Sequence, residues 1–430
     1  MSKHLDRTEY ILQSLHSGKT FPDTGWILDA PDEDKPGLIR ALYSKKQLQL
    51  KGDEYGIYKF ADWLPVHRFL EGSCPPVTYK SEGLAGALGL NNLYVTFSGW
   101  WPEKNAFMKT CSFKETEAYS VCARLEPRDE HVLVVASAGN TARSFARVCS
   151  DNNIKLLLCV PEDNLNALWF DEPIKSHVKL VASRTGSDYF DAIHLSNIAV
   201  EMNKFISEGG AKNVARRDGM GTTVLSAVTT IGEIPDYYFQ AVGSGTGAIA
   251  AWEANLRLME DGRFGKKKMK LMVSQNLPFQ PLYDAWQLKS RGLLPLEDGK
   301  ARKQVESIIA KVLSNRRPPY SLAGGLYDAL VDTNGEVLIA DNQQAEKAGK
   351  LFEETEGIDI HPAAAIATAS LIEAIEKKMV DRNALIMLNI TGGGEKRFMH
   401  DKKLFYLKPS VIFDIDPDKE FVKQKMIELF

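Results

Sequence analysis

The chain has 430 residues, 44% of them hydrophobic and 25% charged, with a formal net charge of -3. That balance suits a globular protein of about two or three domains. It offers no basic surface for nucleic acid or an anionic membrane. No apolar stretch nears the ~20 residues that span a bilayer, and residues 1–7 lead into no secretory pattern. Five scattered cysteines (Cys74, Cys111, Cys122, Cys149, Cys159) lack zinc-knuckle spacing. The expectation is a cytoplasmic protein with reduced thiols and no metal site.

The first stretch, to residue 36 or 37, is polar and rich in Asp, Pro and Gly, and reads as a peripheral extension. Residues 38–50 have helical spacing. Lys114 stands in Thr110-Cys111-Ser112-Phe113-Lys114-Glu115 and is placed at a helix start. Residues 131–136 form a continuous apolar run, as in a buried parallel strand, followed by the turn Ser137-Ala138-Gly139-Asn140 and a helix over 141–150. Residues 155–160 repeat the strand pattern before Pro161. A further strand over 238–242 runs into Gly243-Ser244-Gly245-Thr246-Gly247 and a helix over 249–259. The run Lys266-Lys267-Lys268 reads as a solvated turn. Strands over 270–274 and 384–388 follow, the second leading to Thr391-Gly392-Gly393-Gly394. Strand and helix in alternation predict an α/β fold with parallel sheets. Such sheets place ligands beyond the carboxyl ends of their strands, where the glycine-bearing motifs fall.

Each motif has a plain structural explanation and a chemical one. Gly243 to Gly247 is a tight strand-to-helix turn, or a cradle whose N–H groups and helix dipole hold a phosphate. It is neither a Walker loop nor a good dinucleotide fingerprint. Lys114 is a surface lysine, or an amine whose pKa is lowered by burial and the helix dipole so that it forms imines. Asn140 is a helix cap, or a donor to a phenolic oxygen. Thr391 is an ordinary turn residue, or a neutral partner for a pyridine nitrogen, which weakens the electron sink and suits elimination and replacement. Taken in this order, each at a strand end, the motifs supply what pyridoxal phosphate needs.

These segments resemble fold-type II (tryptophan synthase β-like) pyridoxal phosphate enzymes, threonine synthases in particular. The resemblance implies two domains with parallel sheets and the cofactor in the cleft between them. It makes Lys114 the Schiff-base residue in Ser112-Phe113-Lys114, with Asn140, Gly243, Ser244, Gly245, Thr246, Gly247 and Thr391 holding the cofactor. Asn213-Val214-Ala215-Arg216-Arg217-Asp218-Gly219-Met220-Gly221-Thr222 is similar to the segment binding the substrate's phosphate. It makes Asn213 and Arg216 substrate ligands, with Arg217, Lys109, Ser112 and Ser137 as further candidates. The implied division is residues 1–37 as extension, 38–118 and 222–430 as the large cofactor-binding domain, and 119–221 as a small mobile domain.

Two segments depart from threonine synthases: Met220-Gly221 stands for Gln-Lys, and Glu115-Thr116-Glu117 for Asp-Arg-Gly. Those departures are similar to the cysteate synthases, an offshoot that converts O-phospho-L-serine and sulfite to L-cysteate and phosphate in coenzyme M biosynthesis. Partners are then a small amino acid phosphate and sulfite, in a possible homodimer. Relatives often begin with a cysteine-bearing, zinc-ribbon-like segment. No cysteine precedes Cys74 here, so that element is expected to be absent. Threonine synthesis from O-phosphohomoserine, β-replacement with another nucleophile, and cofactor binding without catalysis are the competing readings.

Overall fold

The computed structural model describes residues 8–126, 129–137 and 139–430, so Ala138 of the expected turn and residues 1–7 of the expected extension lie outside it. Two sheets dominate. The larger runs in the order Glu336–Ala340, Lys270–Asn276, Tyr237–Ala241, Leu385–Ile390, Asn92–Phe97, Val77–Lys80. All its pairings are parallel except the last, where Val77–Lys80 lies antiparallel on the edge. The smaller runs Phe205–Ser207, Val132–Ala136, Leu156–Pro161, Val178–Ser183, Val411–Phe413, all parallel. Every residue of Leu385–Ile390 and Leu156–Pro161 is buried, which is why residues 385–388 and 156–160 read as unbroken apolar runs.

Three adjacent strands of the larger sheet position the site. Tyr237–Ala241, Leu385–Ile390 and Asn92–Phe97 run side by side, with Phe239 opposite Leu388 and Leu388 opposite Val95. Their carboxyl ends therefore release the 243–247 loop, the 391–394 segment and Ser98 along one edge. Ligands of open parallel sheets bind at such edges.

The helix Val214–Ile231 packs between the lysine-bearing helix Lys114–Arg124 and the helix Thr246–Asp261. Glycine makes the approach possible: a Cβ on Gly219 would meet the Thr116 carbonyl oxygen at 2.5 Å, and one on Gly221 would touch the Ala250 carbonyl oxygen at 3.4 Å. Met220 fills the space between Phe113 and Ala250. The Met220-Gly221 departure, with Gly219 before it, is thus a packing motif that locks the lysine segment to the helix behind the glycine loop.

Several expectations are corrected here. Residues 38–50 are not helical: Ile39–Tyr43 is a strand with Ile39, Ala41 and Tyr43 buried in alternation. It pairs antiparallel with Tyr10–Ser14, which pairs with Thr20–Phe21. The extension is therefore built into the core, with Leu12 fully buried. The expected borders near 118 and 221 each fall inside a helix, Lys114–Arg124 and Val214–Ile231, where a rigid hydrogen-bonded rod leaves no hinge. The range 222–430 is also divided. Val411–Phe413 joins the smaller sheet, and Val422 and Met426 of the final helix pack on Leu195 and Ile198 beside it. No helix among the described residues is long and apolar enough to cross a membrane.

Candidate active site

The lysine segment is hydrogen-bonded to the end of the central strand. Phe113 donates its N–H to the Thr391 carbonyl at 2.9 Å, Gly393 donates to the Cys111 carbonyl at 3.1 Å, and Ser112 forms an antiparallel bridge with Gly392. Lys114 and Thr391, 277 positions apart in the chain, are thereby held together by backbone alone. Gly392 permits this closeness, since a Cβ there would meet His361 Nδ1 at 2.3 Å and the Cys111 carbonyl oxygen at 2.8 Å.

Asn140 opens the helix Asn140–Asp151. Its Oδ1 accepts from Arg143 at 3.0 Å, and the same guanidinium nitrogen donates to the Thr110 carbonyl at 2.9 Å. Arg143 also lies 3.9 Å over the Trp169 ring. This buried arginine, which sequence reasoning missed, ties the Asn140 turn to the lysine loop. Ser137 accepts from the Gly139 N–H at 3.1 Å, and Ser112 Oγ accepts from the Lys114 N–H at 3.3 Å, so both shape their own turns.

The helices beginning at Lys114, Asn140 and Thr246 have no side-chain cap. Those beginning at Tyr189, Asn342 and Lys419 are capped by Asp188, Asp341 and Asp418. The N–H groups of Lys114, Glu115 and Thr116 are taken by Ser112 and Phe113, so the helix starts at Asn140 and Thr246 are the ones whose positive dipole end can serve an anion. At the glycine loop, Ser244 and Thr246 add hydroxyls 2.8 Å apart. Ser98 Oγ and Asn389 Oδ1 are buried beside these strand ends without a hydrogen-bond partner among the described residues. The Lys114 amine, the glycine loop, the Asn140 amide and the Thr391 hydroxyl are of the chemical kinds that pyridoxal phosphate would need.

Lys114 Nζ lies 3.1 Å from Glu117 Oε2, and the opposite oxygen of Glu117 lies 3.0 Å from Arg216. Arg216 also pairs with Glu208. Burial pulls the Lys114 amine below its ordinary pKa; Glu117 pushes back, and Arg216 adds a further downward push. Burial disfavours the Arg216 charge, but Glu117 and Glu208 outweigh it and hold that charge firmly. Glu117 sits one turn beyond Lys114 on the same helix face. That spacing was a signal in the sequence that went unused.

Other expected ligands are engaged elsewhere. Arg217 is fully buried, donating to Glu253 at 2.9 Å and to the carbonyls of Ala211 and Ile39. It is a structural tie between the N-terminal sheet and the helix Thr246–Asp261, which corrects its assignment to substrate. Asn213 caps the helix Val214–Ile231: Oδ1 accepts from Ala215 N–H at 3.0 Å and from Arg124 at 2.9 Å, while its amide donates to the Glu208 carbonyl at 2.7 Å. Fully buried, it holds the loop that presents Arg216 and has no free edge for a ligand. Lys109 pairs with Asp171 at 3.3 Å and Glu172 at 3.9 Å and stays partly exposed.

The N-terminal segment supports this region from outside. Asp23 pairs with Arg124 at 2.8 Å, Trp26 donates to the Ser207 carbonyl at 2.7 Å, and Asp29 pairs with Lys212 at 2.7 Å. The loop between Ser207 and Asn213 is therefore gripped on both sides.

Comparison with known proteins agrees with this geometry. The family described as pyridoxal-phosphate dependent enzyme matches residues 98–392. Cysteate synthase of Methanosarcina acetivorans is 47% identical over 97% of this chain and 99% of its own length. The cysteate synthase of Methanosarcina barkeri is 50% identical over 88% of this chain and 91% of its own. The chain belongs to the cysteate synthase family of pyridoxal-phosphate dependent enzymes. Solved structures share the fold: the threonine deaminase of T.th. superposes with a TM-score of 0.56 over 75% of this chain and 92% of its own, at 18% identity. Serine racemase of Dictyostelium discoideum does so with a TM-score of 0.54 over 74% and 92%, also at 18% identity. The fold is that of the fold-type II pyridoxal phosphate enzymes, and pyridoxal phosphate is the cofactor.

Proposed function

We propose that this enzyme replaces the phosphate of O-phospho-L-serine with sulfite, giving L-cysteate and inorganic phosphate. The observation that carries the reading is the pairing of the Lys114 amine and the Arg216 guanidinium on Glu117, at 3.1 and 3.0 Å, in a chain nearly half identical to cysteate synthases. Lys114, Asn140, the 243–247 loop and Thr391 would hold pyridoxal phosphate. When bound, that cofactor supplies an electron sink for the charge left as Cα loses its proton. Lys114 takes that proton as general base and returns it to Cα after the replacement. Arg216 holds the phosphate through two nitrogens as the Cβ–O bond breaks and its electron pair leaves with the phosphate. The sulfite sulfur lone pair then forms the Cβ–S bond. Lys109, partly exposed, would serve an incoming anion by leaving Asp171 and Glu172.

We also read the protein as cytoplasmic and as a homodimer, with the part built on the smaller sheet, including Val411–Phe413 and the final helix, as the moving part. The experiment is phosphate release from O-phospho-L-serine with sulfite present or withheld, with product mass read alongside. Cysteate formed only with sulfite is the expected result. Threonine formed from O-phosphohomoserine under the same conditions would replace this reading with threonine synthesis.

A further inference from the structure

We propose that Glu117 is a positioning residue that holds the Lys114 amine and the Arg216 guanidinium on one carboxylate, and so links occupation of Arg216 by an anion to the state of Lys114. The second half of this rests on the reading of Arg216 given above.

Glu117 is fully buried, and its two oxygens are divided between the two cations, Oε2 to Lys114 at 3.1 Å and Oε1 to Arg216 at 3.0 Å. A buried carboxylate is costly unless paired. Its place is fixed by the fold from both sides: one helical turn from Lys114 on its own helix, and facing the first turn of Val214–Ile231, which Gly219 brings against the Thr116 carbonyl. Glu208 faces Arg216 from the loop after Phe205–Ser207, and Tyr189 stands in the field of Arg216, Glu208 and Glu117. Lys114, Arg216, Glu117 and Glu208 thus form a closed group of two positive and two negative charges.

An arriving phosphate dianion disturbs that balance. To bind Arg216 through two nitrogens it takes Nε, which has no partner among the described residues, together with a nitrogen now paired with Glu117 or Glu208. Once Arg216 turns to the phosphate, Glu117 is left to Lys114 alone, and the lysine nitrogen holds a proton more strongly. A phosphorylated substrate would in this way sharpen its own base, while an unphosphorylated amino acid would leave Arg216 on the carboxylates.

The test uses cofactor-loaded enzyme and inorganic phosphate as probe. Two quantities are read: the dissociation constant for phosphate, from the change in the visible absorbance of bound cofactor, and the pH midpoint of that absorbance, which reports the proton on the Lys114 nitrogen. Glu117→Gln removes the charge and keeps the shape. It should tighten phosphate about tenfold, because a competing anion is gone, and lower the midpoint by about one pH unit. Glu208→Gln should also tighten phosphate but lower the midpoint much less than Glu117→Gln does, since Glu208 acts on Lys114 only from a distance. Glu117→Asp keeps the charge one methylene short of bridging both cations, and should move one quantity or both if the glutamine variant does not fold. Unchanged phosphate affinity and midpoint in the Glu117 variant overturn the proposal, as does an equal midpoint change in Glu208→Gln. Arg216→Gln separates the two readings. If it binds phosphate as well as the unaltered enzyme, the phosphate assignment of Arg216 fails, while the midpoint of Glu117→Gln still judges the hold on Lys114.

Discussion

Arg124 donates to the Oδ1 of Asn213 at 2.9 Å, joining the last turn of the lysine helix to the first turn of the helix that carries Arg216. The same oxygen caps Ala215, so one amide serves both a helix start and a buried guanidinium. Asn213→Ala should cost about 1 kcal/mol for the cap and about 1.5–3 kcal/mol for the charged hydrogen bond. The denaturation midpoint of the variant should fall accordingly, with the Michaelis constant for substrate rising only as Arg216 loosens. A large rise in that constant at unchanged stability would instead restore Asn213 as a ligand.

Glu115 should give the protein a pH-dependent stability. It is buried, and one of its oxygens accepts from the Thr110 N–H at 2.8 Å and the Thr110 hydroxyl at 2.9 Å. Burial pushes its pKa from an ordinary 4.5 up to about 7, against the pull of Thr110 and Lys109. The folded state therefore binds a proton more readily than the unfolded chain between those values, and stability falls as pH rises through that window. At about 1.4 kcal/mol per pH unit, the contribution is on the order of 3 kcal/mol, present below pH 4.5 and lost above about pH 7. Glu115→Gln keeps an acceptor for Thr110 and should flatten denaturation midpoints between pH 5 and about 8. A slope as steep as that of the unaltered protein would assign the effect to other groups.

Lys114→Ala removes the amine that the proposed chemistry uses twice, once to hold the cofactor and once to move a proton. Turnover should disappear, and the purified protein should lose its visible absorbance. Repeated turnover by this variant would place the reactive amine elsewhere.

Gly392 should prove sensitive to a single methyl group. An alanine Cβ would press on His361 Nδ1 and the Cys111 carbonyl, forcing apart the backbone that sets Lys114 beside Thr391. Overpacking of this kind costs about 1–3 kcal/mol. Because the strain falls on the bridge between Ser112 and Gly392, cofactor occupancy should drop before global stability does. The ratio of visible to ultraviolet absorbance after dialysis measures this, and full retention of cofactor would count against the bridge as the organising contact.

The parts of the site written in short local patterns were legible. Glycines after an apolar run announce a strand end whether or not a ligand follows; the 243–247 loop and Thr391 do follow strands, and Lys114 does begin a helix, as expected. The strand Tyr237–Ala241 and the helix Thr246–Asp261 lie within a few residues of expectation. What failed was tertiary. Asn213 was expected as a ligand from the resemblance of its segment, but asparagine serves equally as a cap, and the contacts with Ala215 and with Arg124, 89 positions away, favour the cap. Glu117 drew notice only as a departure, since nothing local shows that Arg216 arrives on its far side. Residues 39–43 alternate buried and half-exposed, but the leucines on either side also satisfy a helical period, and the choice depends on Tyr10–Ser14 being there to pair.

The N-terminal segment should matter to substrate affinity through Trp26, which lies between the strands Thr20–Phe21 and Ile39–Tyr43. Trp26 donates to the Ser207 carbonyl at 2.7 Å, and the Arg124 guanidinium lies 5.3 Å over its ring. Ser207 adjoins Glu208, which holds Arg216. Trp26→Ala removes one hydrogen bond and one cation–π contact, about 1–2 kcal/mol together. The loosened loop should spread the positions of Glu208 and Arg216. The Michaelis constant for the phosphorylated substrate should rise several-fold, with a much smaller change in the maximal rate, because the Lys114 side is anchored independently through Thr391. Steady-state kinetics with varied phosphorylated substrate reads both values. A fall in maximal rate at constant affinity would mean that the segment acts on the lysine helix through Arg124, and that its grip on the Arg216 loop is incidental.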